Sequence, residues 1–243
     1  MSAEKGVAIV TGGTRGIGHE ITRALCADGY KVAAIYHGNE EAAKACEQET
    51  GAKAFKCDVS DFAACHAVCE EIEKNYGPVQ VLVNNAGITK DGTLHKMTEE
   101  NWHAVIETNL TSCFNMCRAI INQMRERAFG RIINISSING QKGQFGQVNY
   151  SAAKAGMIGF TRALALESAA KGITVNVICP GYIATDMTSA MKQEVLDSII
   201  RQIPVSRMGK PDEIAALVSF LASDKAAFMT GATLAANGGQ YMA

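Results

Sequence analysis

Seven short runs rich in Val, Ile and Ala are separated by stretches of helical length, and this alternation leaves few folds open. The runs are Val7–Thr11, Lys31–Tyr36, Lys53–Cys57, Val79–Asn84, Arg131–Ser136, Thr174–Cys179 and Thr233–Ala236. They are continuously apolar rather than alternating, the pattern of strands buried on both faces. The segments Ile17–Asp28, Glu40–Thr50, Asp61–Tyr76, Glu99–Glu126, Tyr150–Lys171 and Pro211–Ala222 read as helices. Strands alternating with helices call for right-handed crossovers, so the expectation is an α/β chain with a parallel sheet.

At 243 residues the chain fits one such domain, and no linker rich in Pro, Gly or Ser divides it. The long stretch 181–208 between a strand and the next helix is expected to be a substrate lid, with a passive surface excursion as the alternative. Ligands of an open parallel sheet bind beyond the carboxyl ends of its strands. The conspicuous residues fall at those ends: Thr11–Gly18, Asp58, Asn84–Gly87, Ser137 and Pro180-Gly181.

Composition excludes several other classes. With 23 basic and 24 acidic residues, net −1, there is no nucleic-acid footprint and no polybasic membrane patch. The polar Met1–Gly6 lacks a signal-peptide pattern and no run of apolar residues reaches spanning length, so a cytoplasmic protein is expected. Eight cysteines form no Cys-x-x-Cys, and Cys65/Cys69 and Cys113/Cys117 have helical spacing, which reads as reduced, partly buried thiols. The five histidines are scattered, and His66 near Cys65 and Cys69 reads as helix surface; no metal site is expected.

Gly12, Gly16 and Gly18 follow a strand and open a helix, where backbone can approach a pyrophosphate at the helix N-terminus. Their Gly-x-x-x-Gly-x-Gly spacing departs from the common dinucleotide fingerprint, but the strand–turn–helix placement favours that ligand. An NAD enzyme carries an acidic residue at the end of the second strand for the ribose 2′-hydroxyl. Here that strand ends Tyr36-His37-Gly38-Asn39, and Arg15 stands in the first turn, so NADP(H) is expected. Glu40 and Glu41 fit better in the first turn of the next helix. Asp58 offers an acceptor for an adenine amino group, or else caps the helix starting near Ser60.

Tyr150 and Lys154 are one helical turn apart and thirteen residues or more beyond Ser137. A cation about 4 Å from a phenol contributes roughly 4 kcal/mol at an effective dielectric of ~20, about three pK units, so Lys154 is expected to bring Tyr150 down from ~10 into the range of a general acid.

Together Thr11-Gly12-Gly13-Thr14-Arg15-Gly16-Ile17-Gly18, Asn84-Asn85-Ala86-Gly87, Asn109, Ser137, Tyr150, Lys154 and Pro180-Gly181 resemble the short-chain dehydrogenase/reductase pattern, over essentially the whole chain. That resemblance implies a single domain over 1–243, a doubly wound, seven-stranded Rossmann sheet and a catalytic tetrad of Asn109, Ser137, Tyr150 and Lys154. It implies coenzyme contacts from Gly12, Gly13, Thr14, Arg15, Ile17, Gly18, His37, Asp58, Val59, Asn84, Ala86, Gly87, Tyr150, Lys154, Pro180, Gly181 and Ile183. It also implies a homotetramer packed through the long helices near Asn101–Glu126 and Tyr150–Ser168.

Two subgroups of the family reduce 3-oxoacyl thioesters. The stretches Asn139–Gln147 and Pro180-Gly181-Tyr182-Ile183-Ala184-Thr185-Asp186-Met187 resemble those that act on acetoacetyl-CoA in polyhydroxybutyrate synthesis, and imply an (R)-3-hydroxyacyl product. The carrier-protein reductases of fatty-acid synthesis are the alternative; they often carry a basic residue where this chain has Ala128, although Arg125, Arg127 and Lys171 leave positive charge nearby. By the same resemblance Asp91, Ser137, Gln144, Phe145, Gln147 and Tyr182 would line the acyl pocket, with Phe145 as its apolar wall. A non-catalytic NADP(H) sensor is the remaining alternative, though a sensor has no use for the complete tetrad.

Overall fold

All five residues of Val7–Thr11 are buried, and this strand, β1, lies at the centre of the sheet. The structure, a computed structural model, describes residues 5–185, 188 and 193–242. After β1 come β2 Lys31–Tyr36, β3 Lys53–Lys56, β4 Val79–Asn84, β5 Gly130–Ile135, β6 Ile173–Pro180 and β7 Thr233–Ala236. All pair in parallel, in the order β3-β2-β1-β4-β5-β6-β7. The order reverses between β1 and β4, which makes this a doubly wound Rossmann sheet with its switch point there.

The helices are α1 Gly16–Ala27, α2 Glu40–Thr50, α3 Phe62–Tyr76, α4 Glu99–Ile106, α5 Ser112–Arg127, the single turn α6 Asn139–Lys142, α7 Val148–Ser168, α8 Gln193–Ile200 and α9 Pro211–Ala222. Because successive strand residues point to opposite faces, one run of sequence feeds two cores. Val7, Ile9, Ile35, Leu82 and Ile132 pack against Ile72 of α3 and Met116 and Ile120 of α5. Ala8, Val10, Val81, Val83 and Ile133 pack against Ile21 and Leu25 of α1 and Ile214 and Val218 of α9. The continuous apolarity of the strands is thus the signature of burial on both faces.

Two expectations are refined. The helix anticipated over Glu99–Glu126 is interrupted by a π-helical turn at Glu107–Thr111. One residue is inserted there, and the Asn109 side chain takes over a backbone acceptor by donating to Val105 O at 2.8 Å, while Ser112 Oγ donates to Thr108 O at 2.6 Å. Hydrophobic periodicity does not register one extra residue in a long helix. The stretch 181–208 contains α8 and is tied down at both ends. Ala184 N donates to Gly209 O and Gly209 N to Tyr182 O, both at 2.9 Å, and Val205 N donates to Gly238 O at 3.1 Å. Asp186, Met187 and residues 189–192 of that stretch lie outside the described residues.

The eight cysteines are free. Among the described residues no helix is long and apolar enough to cross a membrane.

Candidate active site

The first element of the site is the turn after β1, and it is held by the turn after β4. Thr11 Oγ1 accepts from the backbone of Asn85 and Ala86, each at 3.0 Å, and Asn85 Nδ2 returns hydrogen bonds to Thr11 O at 2.9 Å and Gly12 O at 3.3 Å. Gly12 sits at φ +62°, where side chains are strained, and a Cβ on Gly18 would stand 2.1 Å from Gly12 O. The glycines therefore hold backbone against backbone at the start of α1, leaving its first N–H groups and the positive end of the helix facing the cleft. Gly18→Ala must push this turn apart. Overpacking of this kind costs about 1–3 kcal/mol, so its melting midpoint is expected to fall by roughly 2–12 °C; a scan of the purified variant checks this.

Two residues assigned to the coenzyme take other positions. Gly13 is turned into the protein: its N–H donates to Ile35 O at 3.1 Å and its carbonyl accepts from Thr22 Oγ1 at 2.8 Å. Asn84 is also turned inward. It donates to Asn134 Oδ1 at 2.8 Å, and Asn134 in turn donates to Thr161 Oγ1 at 2.8 Å, a buried chain that locks β4, β5 and α7 together. The next residue, Asn85, lines the cleft in its place, because side chains alternate at a strand end.

At the far end of the cleft stand Arg15, Ile17, His37, Gly38, Asn39, Asp58 and Val59. Glu40 and Glu41 occupy the first turn of α2, and Glu40 pairs with Lys56 at 2.9 Å, away from this position. Asn39 caps α2 through its side chain. Asp58 does not cap α3; Asp61 does, accepting from Ala64 N at 3.0 Å. Asp58 instead accepts from Ser60 Oγ at 2.6 Å and Ser60 N at 2.9 Å, and the Ser60 hydroxyl above all holds its carboxyl below the usual carboxylate range. Its second oxygen lies 3.7 Å from His37 Nδ1.

The candidate catalytic residues lie beyond the carboxyl ends of β4 and β5. Ser137 lies two residues after β5, buried, with its hydroxyl accepting from Asn139 N at 3.1 Å, and it lines the same cleft as Tyr150. Lys154 is buried one turn further along α7, with Nζ donating to Ile135 O at 2.8 Å. Nζ is 5.6 Å from the centre of the Tyr150 ring. A Cβ on Gly87 would meet Asn109 Oδ1 at 2.5 Å and Lys154 Nζ at 3.5 Å, so the amide oxygen and the ammonium converge over that glycine. Asn109 Nδ2 is spent on Ile88 O and Val105 O, and Oδ1 has no hydrogen-bond partner among the described residues.

The electrostatics correct one expectation. Burial pushes Tyr150 up to about 12, against the lowering effect of the Ser137 hydrogen bond, with the charge of Asp91 adding to the rise. Burial also brings Lys154 down to about 8. The Lys154 charge is not among the causes of the Tyr150 shift, since Nζ is aimed at Ile135 O rather than at the hydroxyl. The phenol is therefore a protonated donor throughout the neutral range, and Lys154 is the group that titrates near neutrality.

At the mouth, Gln147 Nε2 donates to both oxygens of Asp91 at 3.0 Å and Gln147 Oε1 accepts from Asn139 Nδ2 at 2.9 Å. Tyr182 faces the same space. Gln144 and Phe145 are not on the cleft wall, and Phe145 is 87% exposed, so the acyl wall expected of it is absent from this arrangement. Gly143 and Gly146 flank Phe145 at positive φ in this loop. The cleft, about 960 Å³, also takes in Ala86, Gly87, Pro180, Gly181 and Ile183.

Sequence reasoning missed several supporting groups. Besides Thr11 and Asn85, Asn149 donates to Lys90 O at 3.1 Å and Asn101 O at 3.2 Å and accepts from Tyr150 N, pinning the start of α7. Ser136 Oγ donates to Lys154 O at 2.7 Å. Thr188 lines the cleft and accepts from Thr185 N at 2.9 Å. Adjacency to a motif is the one signal that could have found Asn149 and Ser136. Two of the basic residues around Ala128 are engaged in structure: Arg127 forms a two-pronged pair with Glu73, and Arg125 donates to Glu167 O.

Residues 12–240 match the family described as Enoyl-(Acyl carrier protein) reductase. The chain is 62% identical over 236 residues to an acetoacetyl-CoA reductase of Shinella zoogloeoides, covering 97% of this chain and 98% of that one. It is likewise 62% identical over 238 residues to an acetoacetyl-CoA reductase of Rhizobium meliloti (strain 1021), covering 98% and 99%. It is 47% identical over 244 residues to a 3-oxoacyl-acyl-carrier-protein reductase of Escherichia coli (strain K12), covering 100% of both.

Proposed function

The chain belongs to the short-chain dehydrogenase/reductase family, an oxidoreductase family that uses nicotinamide coenzymes, and from that premise we propose that it reduces acetoacetyl-CoA to (R)-3-hydroxybutyryl-CoA with NADPH, feeding polyhydroxybutyrate synthesis. The observation that carries this reading is the convergence of Ser137, Tyr150 and Lys154 at the strand ends, in one cleft with the glycine turn. The identity to acetoacetyl-CoA reductases, higher than that to the carrier-protein reductase, supports the CoA thioester. So does the pairing of Arg127 with the Glu73 carboxylate, which offsets one of the positive charges that could receive an acidic carrier protein.

The close-packed glycines and the start of α1 fit a dinucleotide pyrophosphate, with Thr14, Arg15 and Ile17 beside it, Asp58 and Val59 at the adenine, and Ala86, Gly87, Pro180, Gly181 and Ile183 along the nicotinamide half. When bound, NADPH supplies the hydride. Tyr150 protonates the ketone oxygen of the substrate as negative charge develops there, and Ser137 donates a hydrogen bond to the same atom. Lys154 holds the ribose hydroxyls and keeps a positive charge behind the phenol. Asn109 Oδ1, buried and facing Lys154, is placed to bind a water that returns protons to the ammonium. Asp91, Gln147 and Tyr182 position the thioester at the mouth, and the 181–208 segment closes over it as a lid.

The choice of NADP(H) rests on Arg15 and on the absence of a carboxylate at the tip of β2. Asp at position 37 (His37→Asp) is expected to repel the 2′-phosphate and raise the ratio of NADH to NADPH efficiency by ~10-fold, the effect of about 1.4 kcal/mol. An unchanged ratio would mean the phosphate lies elsewhere.

We place the enzyme in the cytoplasm, a reducing compartment that suits its free thiols. The apolar outer face of α5 and α7, where Phe114, Ile121, Phe160 and Leu164 line a hollow of about 670 Å³, supports a homotetramer. The deciding assay compares kcat/KM for acetoacetyl-CoA and for acetoacetyl-acyl-carrier protein with NADPH. A preference of ten-fold or more for the CoA ester is expected, on the order of 1.4 kcal/mol. The reverse preference would move the enzyme to fatty-acid synthesis, and inactivity with both would revive a sensor.

A further inference from the structure

Cys57 follows β3 and Cys65 lies in the first turn of α3, and the chain between them folds back so that both sulfurs lie against one backbone carbonyl. Cys57 Sγ is 3.5 Å from Asp58 O; Cys65 Sγ is 3.9 Å from the same oxygen and 3.4 Å from Val59 O. The two sulfurs thus converge on one carbonyl oxygen, from opposite ends of the 58–61 turn. Asp61 N donates to Asp58 O as well, at 3.1 Å, so the peptide presented to the cleft at Asp58–Val59 is held from behind by both sulfurs and the cap of α3. Cys57 reaches the cleft wall, whereas Cys65 is fully buried.

We propose that Cys57 and Cys65 form a redox-responsive dithiol, whose oxidation to a disulfide by a peroxide loosens the adenine half of the coenzyme cleft. The effect on coenzyme rests on the function proposed above; the dithiol does not.

The chemistry balances with hydrogen peroxide as oxidant. The Cys57 thiolate attacks one peroxide oxygen, the O–O bond breaks, and Cys57 becomes a sulfenic acid as the other oxygen leaves as water after taking up the proton released by the thiol. Cys65 sulfur then attacks the sulfenic sulfur, the S–S bond forms, and the sulfenic oxygen departs as a second water with the Cys65 proton. Two thiols lose two hydrogens and one peroxide becomes two waters. The roles follow from the site: Cys57 faces the cleft, and its contact with Cys65 favours ionisation at Cys57 while Cys65 keeps its proton. A disulfide brings the sulfurs to ~2.05 Å, so closure draws Cys57 toward α3 and carries Asp58 and Val59 with it.

The test treats the whole protein with hydrogen peroxide, alkylates the remaining thiols and maps the peptides, with NADPH binding followed in parallel by fluorescence titration. A Cys57–Cys65 linked peptide is expected, removed by dithiothreitol and slower to form when NADPH is present. The oxidised protein is expected to bind NADPH about ten-fold more weakly, the scale of losing one or two hydrogen-bonded contacts. Cys65→Ala should form no such bridge and show no peroxide-dependent change in affinity; if that variant does not fold, the map of the unaltered protein decides alone. Both thiols remaining open to alkylation would overturn the dithiol. A bridge with unchanged NADPH affinity would overturn its coupling to the cleft. Failure of even the reduced protein to bind NADPH would count against the coenzyme reading, while the map still reports on the dithiol.

Discussion

Tyr150→Phe is expected to lower kcat for acetoacetyl-CoA reduction by about 10²–10⁴, the contribution of a positioned general acid, while NADPH still binds. The phenol lines the cleft together with the Ser137 hydroxyl, where it can hand its proton to a ketone oxygen bound between them. Desolvation holds it at about 12, so at neutral pH it is fully protonated, the form a reduction consumes. The oxidation direction needs the phenolate, so the reverse reaction is expected to accelerate as pH rises across the alkaline range. Phe keeps the ring and removes only the hydroxyl, so packing of α7 is preserved. Steady-state rates, with a fluorescence titration of NADPH on the same protein, separate chemistry from binding. Turnover within a few-fold of the parent would remove Tyr150 from the acid's role.

Lys154→Met is expected to lower kcat/KM by about 10²–10³, the scale for removing one preorganised electrostatic group, and at the same time to stabilise the fold. Burial carries Lys154 from 10.5 down to about 8. Below pH 8 the lysine is charged in both the folded and the unfolded chain, and the folded state bears the desolvation cost. Between 8 and 10.5 the folded state releases its proton while the unfolded chain keeps it, so the parent gains stability with rising pH over that window. A difference of about 2.5 pK units corresponds to about 3 kcal/mol, an upper figure because Met also forfeits the hydrogen bond to Ile135 O. Denaturant unfolding at pH 7 and pH 10 should show the advantage of the Met variant shrinking between them. Equal stability of variant and parent at pH 7 would show that the buried ammonium costs nothing. For the parent, reductase activity is expected to be flat below about pH 8 and to decline above it, as Lys154 loses the charge behind the phenol.

Both predictions concern residues visible in the sequence, but their energetics differ from what spacing implies. One helical turn between Tyr150 and Lys154 places them on a common face, and α7 does carry both. The spacing carries no information on where Nζ is aimed; that depends on Ile135 O at the end of a strand nineteen residues earlier. The same limit applies at Asn84, whose place in a motif points to the cleft while the pleat of β4 turns it to Asn134. Phe145 belongs to a recognisable loop, yet the conformation of the loop leaves it in solvent.

The parallel α/β sheet and the family were legible along the chain, as were the glycine turn and the candidate set of Ser137, Tyr150 and Lys154. These depend on apolar periodicity and on residue types at short spacings, which are properties of neighbouring positions in the chain. Packing in three dimensions sets the sheet order, the π turn that carries Asn109, the interlock of Thr11 with Asn85, the opposite pKa shifts of Tyr150 and Lys154, and the approach of the Cys57 and Cys65 sulfurs to one carbonyl. Each of those depends on desolvation or on hydrogen bonds set by how separate elements pack, and burial is a property of the folded molecule that no single stretch of the chain encodes.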